Sequence, residues 1–151
     1  MVAHAFVHDS GVHSKVFLSV PPQDASGTDI EGDGLDRRLY YSGKLVVVTG
    51  AAEGSPSSYS VTAKLQHSDE SGAGFEDIAG LEAASVAEDN GIGEADVQIS
   101  ELKQYLRVVV ESEFDGGSSP SVPVTAFFVG AAGQHLPSGL DVTTTSVNVN
   151  Q

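Results

Sequence analysis

The sequence predicts an all-β protein: an antiparallel β-sandwich, jelly-roll-like, of about eight strands with little helix. Three observations carry that expectation. In "YSVTAKLQHS" (Tyr59 to Ser68), Tyr59, Val61, Ala63 and Leu65 face one way and Ser60, Thr62, Lys64 and Gln66 the other. That period of two is the pattern of a half-buried antiparallel strand. Several such runs are separated by "AEGSPSS", "DESGAG", "EDNGIGE" and "DGGSSPS", dense in residues that supply turns. No long 3.6-period apolar stripe appears anywhere.

In chain order, "KLVVVTGAA" (Lys44 to Ala52) is Val-rich and ends in small residues. The strand Tyr59 to Ser68 leads through an acidic, Gly-rich tip into a short return strand, "FEDIAG". "ASVAE" and "ADVQIS" (Ala95 to Ser100) are further short strands. In "QYLRVVVESEF" (Gln104 to Phe114), Tyr105, Arg107, Val109 and Glu111 oppose Leu106, Val108, Val110 and Ser112. "SVPVTAFFVGA" (Ser121 to Ala131) closes the series, with Pro123 near its start, where a missing donor costs least. Two glycines in "GFEDIAGLEAASVAED" limit any helix there to one turn. The chain divides into an N-terminal arm and first strand or strands (1–34), a sandwich domain (35–137) and a polar tail with alternating Val (138–151).

The chain has 151 residues, enough for one domain that removes about 68–70% of its unfolded surface from water. It contains no cysteine, so neither disulfides nor thiolate metal sites are available. No run approaches the roughly 20 apolar residues of a membrane span. "MVAHAFVHDSGVHSK" lacks the basic start and long apolar run of a signal peptide, so export by that route is not expected. With 21 acidic against 7 basic residues, the formal net charge is -14. Such a surface repels nucleic acid and anionic membranes, so neither is expected as a partner. The carboxylates are scattered rather than blocked into a tail, and there are only four lysines. That favours adaptation to high salt, where a Debye length of about 3 Å at 1 M suppresses repulsion. Hydrophobic residues make up 40% of the chain and fall in periodic runs, which argues against disorder.

No arrangement of catalytic residues stands out, and no enzyme activity or cofactor is expected. His4 and His8 are four apart, a spacing that suits a metal only on a helix. The other histidines are His13, His135 and His67, the last at the mouth of the hairpin beside Ser68 and Asp69; sequence adjacency does not make a triad. Asp29, Glu31 and Asp33 alternate ahead of Gly34 like the start of a calcium loop. The twelfth position, however, is Tyr40 instead of the bidentate Glu that completes the cage, and no helix flanks it. These three are weak metal candidates, and an acidic turn is the expected state. The Gly-rich tips lack a Lys and carry carboxylates, unlike a phosphate cradle. The chain has no Trp, and Tyr40, Tyr41, Tyr59 and Tyr105 lie in or beside strands. A sugar-binding aromatic platform is therefore not evident.

Taken in order, Lys64, Leu65, Gln66, Ser68 and Asp69, then Phe75, Asp77 and Ile78, then Lys103, Tyr105 and Arg107, then Gly130, His135 and Pro137 form a recognisable series. It resembles small head decoration proteins of tailed bacteriophages and tailed archaeal viruses, over roughly residues 35–137. Phe75 stands where Trp is common in that group and is expected to fill a core, and residues 1–34 match less well. The resemblance implies a virion structural protein on the outer surface of the capsid head. It also implies binding to the major capsid protein and to copies of itself, with a trimer favoured. The acidity points to the virus of a salt-loving archaeal host. Ala5, Phe6 and Val7 form an apolar patch suited to shell attachment. Arg107, a scarce cation, is expected to pair with a carboxylate across strands or across a subunit boundary. The alternative is a carbohydrate- or cell-surface-binding sandwich of a turret or tail.

Overall fold

The computed structural model describes residues 14–131. Ten strands run through them: β1 (Ser14–Ala25), β2 (Ile30–Glu31), β3 (Leu35–Asp36), β4 (Ser42–Thr49), β5 (Ser58–Ser68), β6 (Glu76–Asp77), β7 (Ala84–Val86), β8 (Ile92–Gln98), β9 (Tyr105–Asp115) and β10 (Val122–Ala131). The helical content among them is one three-residue 3-10 turn, Arg37–Leu39, capped by the Asp36 carboxylate accepting from the Arg38 N–H. The all-β sandwich expected from the sequence is therefore what forms. The strand count exceeds eight because β2, β3 and β6 are two-residue pieces, too short to show a period.

Every pairing is antiparallel. One sheet has four strands in the order β1-β10-β4-β8; the other has six, β2-β9-β5-β6, with β3 also on β9 and β7 also on β5. The backbone of the six-stranded sheet is the unbroken register of β5 on β9, from Ser58 opposite Asp115 to Ser68 opposite Tyr105. The core lies between the sheets. Leu45, Val47, Val97, Val124, Ala126 and Phe128 point inward from one side, and Val61, Ala63, Leu65, Leu106, Val108 and Val110 from the other. Each large side chain so buried contributes roughly 1.5–3 kcal/mol.

The two lateral edges are closed differently. On one, register shifts in β1 between Leu18, Val20 and Gln23 turn Ser19 inward. Its carbonyl accepts from the Asp33 N–H at 3.1 Å, and its hydroxyl donates to the Asp33 carbonyl at 3.2 Å. That bulged residue ties the four-stranded sheet to the segment after β2. On the other edge, β7 pairs with β5 and packs against β8. Gly93 lies at that contact, where an added Cβ would sit 2.7 Å from the Ser85 carbonyl oxygen. The Gly-rich "EDNGIGE", expected as a loop, is therefore strand from Ile92 onward, because glycine serves close packing there. Gly43 and Gly130 face each other across β4 and β10 for a related reason. The Phe128 ring occupies the space beside Gly43, and the Tyr40 ring lies 2.8 Å from where a Gly130 Cβ would be.

Residues 14–34, grouped by sequence with the N-terminal arm, carry β1 and β2, one in each sheet.

Candidate functional site

The inner faces of the two sheets are alike, whereas the outer faces are not. On the outside of the six-stranded sheet the alternate positions of β5 and β9 carry Lys64, Gln66, Arg107 and Glu111. Lys64 Nζ lies 3.1 Å from Asp77 Oδ2 on β6 and also pairs with Glu111. Gln66 Nε2 donates to the other Asp77 oxygen at 2.7 Å, and its own carbonyl accepts from Arg107 Nε at 2.8 Å. The Arg107 guanidinium then grips both oxygens of Glu31 at 2.8 Å and sits 4.6 Å from the centre of the Phe75 ring. At the mouth of the hairpin Lys103 Nζ reaches Glu76 at 2.5 Å. His67 Nδ1 accepts from the Lys103 backbone N–H at 3.3 Å.

This lattice shifts the groups within it. Hydrogen bonds donated to Glu111 and then Asp77 push the Lys64 ammonium up, and Gln66 followed by Lys64 holds the Asp77 carboxyl down. Lys103 holds Glu76 down, and Glu76 in turn raises Lys103. All are surface groups, so each pair is screened by salt.

The outside of the four-stranded sheet carries a different set. Its outward positions include Val16 and Leu18 on β1, Thr125, Phe127 and Val129 on β10, Lys44, Val46 and Val48 on β4, and Ile92, Glu94, Asp96 and Gln98 on β8. Leu18, Phe127 and Val46 form one cross-strand row and Val16 and Val129 another. Val16 is 60% exposed, Leu18 56% and Ile92 65%, whereas Val46 at the centre is 6% exposed. At one corner Lys44 lies 3.0 Å from Asp96 and 3.6 Å from Glu94. Hydrogen bonding to Asp96 pushes Lys44 up. Beside that corner is a shallow depression of about 550 Å³ lined by Ser42, Lys44, Asp96, Gln98 and Val129.

The residues singled out in the sequence fall as follows. Arg107 pairs across strands with Glu31. Glu31 is thereby committed to Arg107, and Asp29 and Asp33 stand exposed on either side of β2. Among the described residues no group of three His, Asp or Glu is set to hold a metal ion. Phe75 does not fill the core as expected: it lies half-buried on the outer face beneath Arg107, because it falls in phase with Asp77. Tyr40 is buried in the core, Tyr59 is half-buried against Phe114 with its hydroxyl donating to Asp89 at 2.9 Å, and Tyr41 is exposed. A second depression of about 420 Å³ lies beside Tyr59, between Ser55–Ser58 and Glu88–Asp89. Phe6, Val7, His4, His8, His13, His135, Pro137 and the tail 138–151 lie outside the described residues. The apolar outer face was missed from sequence. Its signal was the failure of alternation in "LVVV" and "AFFV", where consecutive positions are apolar.

No protein-family model matches the chain, and no curated protein matches it. Among solved structures it is similar to the SPBc2 prophage-derived protein YomS, with a TM-score of 0.38 and 18% identity over 78% of this chain and 93% of that one. It is also similar to a chain of infectious bursal disease virus Gx strain, with a TM-score of 0.46 and 15% identity over 83% of this chain and 34% of that one. A third is the C-terminal family 22 carbohydrate binding module of Clostridium thermocellum Xyn10B, with a TM-score of 0.43 and 20% identity over 81% and 83%. At these identities and TM-scores, function has to be argued from the chain's own residues.

Proposed function

We propose that the chain is a non-enzymatic structural module that works by burying surface, and specifically a capsid decoration protein of a tailed virus with a salt-loving archaeal host. The observation that carries the reading is the exposed apolar outer face of the four-stranded sheet. An ordinary soluble monomer scatters its exposed apolar residues, and a grouped set marks a surface that is covered in use. The opposite face, tied down by ion pairs, suits an outward side that stays in solvent. The acidic surface disfavours nucleic acid as the partner and is suited to molar salt, in which apolar burial strengthens. The order of sequence motifs, which resembles that of phage head proteins, is the support for the major capsid protein and copies of this chain as partners. The virion's outer head surface is then where the chain acts.

The test is the composition of purified particles. The chain is expected in stoichiometric multiples of the shell protein, and its absence from intact particles sinks the proposal. The high-salt element has its own check. The melting temperature is expected to rise between dilute buffer and molar salt as repulsion among the carboxylates is screened. A second reading, a carbohydrate-binding module, finds its support in the depression beside Tyr59; retention of the isolated chain on a glycan array would favour it.

A further inference from the structure

The decoration reading requires a covered face but leaves open what covers it. Resting on that reading, we infer that the outer face of the four-stranded sheet packs against the same face of a second copy, about a two-fold axis. An apolar surface needs an apolar counterpart. Among the described residues four large hydrophobic side chains are exposed, Val16, Leu18, Tyr41 and Ile92, and three of them lie on this face. The matching surface on another copy is thus the face itself, which makes the contact isologous.

Charge leads to the same place. Two chains of formal charge -14 repel wherever carboxylates meet. On the outer face of the six-stranded sheet Glu31, Asp77, Glu111 and Glu113 are interleaved with Lys64 and Arg107 across the central strands β5 and β9. The four-stranded face presents Glu94 and Asp96, both gathered at one corner by Lys44. Its carboxylates stand at the margin, on the edge strand β8 and, with Asp24, near the end of β1, so two copies can meet over the apolar centre without burying a carboxylate.

The size of the face sets the strength. Four strands at about 4.8 Å spacing and seven residues at about 3.3 Å give a plan area of roughly 450 Å². A standard stable interface buries about 800 Å² per partner. The contact is accordingly weak in dilute buffer and strengthened by salt, which screens the repulsion and favours apolar burial. A two-fold contact gives dimers, in place of the trimer that the resemblance to phage head proteins implies; a trimer would set this face against a different surface.

Sedimentation equilibrium of the full chain across salt concentration tests this. A monomer in dilute buffer becoming a dimer in molar salt is the expected result. Leu18→Lys, whose side chain is lost twice in a two-fold contact, should weaken the dimer about a hundredfold or more. Ile92→Lys at the other end of the face should act the same way and covers the case in which Leu18→Lys fails to fold. Ser118→Lys, which adds the same charge in the exposed turn between β9 and β10, should leave the dimer intact. A chain that stays monomeric in molar salt, forms trimers, or dimerises equally well with both face variants overturns the inference. Binding to particles stripped of the chain separates the two ideas. A monomer that binds them refutes the face-to-face dimer alone, and a dimer that binds none refutes decoration alone.

Discussion

The outer faces of the two sheets are both built from antiparallel strands, yet one is a lattice of paired charges and the other is mostly Val, Leu, Ile and Phe with its charges gathered toward β8. The difference resides in the outward positions alone. In β5 these are Ser60, Thr62, Lys64 and Gln66, and in β10 Thr125, Phe127 and Val129. Inward positions decide that a sandwich forms, while outward positions decide what the sandwich meets. A polar outer face is complete in water. An apolar one is complete only when something lies on it.

The largest effect should come from confusing the two sides of one strand. Phe128 and Phe127 are neighbours on β10, but Phe128 is fully buried between the sheets and Phe127 lies half-buried outside. Phe128→Ala should cost about 3–5 kcal/mol in urea unfolding, from lost transfer energy and the cavity beside Gly43. Phe127→Ala should cost about 1 kcal/mol or less and should show instead as weaker self-association. Equal losses at the two positions would mean that the outer face is part of the core and not a docking surface.

Next in size is the polar face. Arg107 links β9 to β2 through Glu31, to β5 through Gln66, and to the hairpin return through Phe75. Arg107→Ala should lower stability by about 1–2 kcal/mol, as one cation, its side chain only 17% exposed, makes three modest contacts. Arg107→Lys should recover less than half of that, because an ammonium cannot hold both Glu31 oxygens or lie flat on a ring. Full recovery would reduce the lattice to simple charge.

How much of this was legible in the sequence follows the same division. β5, β9 and β10 were readable because each keeps one apolar side in strict period, down to Leu106, Val108, Val110 and Ser112 facing in together. β1 was expected only as an unplaced first strand within residues 1–34: its inward residues are Phe17, Ser19, Val20 and Ala25, and two register shifts and the Pro21–Pro22 pair break the period. β8 was read three residues short because Gly93 is a packing glycine among turn-like neighbours. Arg107 could be expected to pair, but Glu31 is 76 residues away and reaches it only through the register of β2 on β9. The apolar face was hidden because "VVV" and "FFV" read as generic strand strength, when they meant that both sides of β4 and β10 seek cover.

A smaller effect tests the lattice by pH. Asp77 has its carboxyl held below the ordinary 3.8 by Gln66 and Lys64. A depressed folded-state value means that its stabilisation is fully present above the ordinary value and is lost as pH falls through the depressed one. Asp77→Asn should therefore melt below the parent at neutral pH, and the gap should close as pH drops beneath about 4. The comparison with the parent cancels the general relief of repulsion that acidification brings to so acidic a chain. A gap that persists to low pH would place the role of Asp77 in its shape rather than in its charge.

The smallest effect concerns the core between the faces. Tyr40 is buried against Phe17, with ring centroids 5.5 Å apart, and among the described residues its hydroxyl has no hydrogen-bond partner. Burial pushes that hydroxyl's pKa up, as expected for a group whose charged form has no place there. A buried, unbonded hydroxyl costs free energy that the ring alone would not. Tyr40→Phe keeps the ring beside Gly130 and removes the polar atom, so stability should hold or rise by up to about 1 kcal/mol. A loss of 1 kcal/mol or more would show that the hydroxyl is bonded in solution. The core would then be knitted by a polar contact at the point where β4 and β10 carry the apolar face.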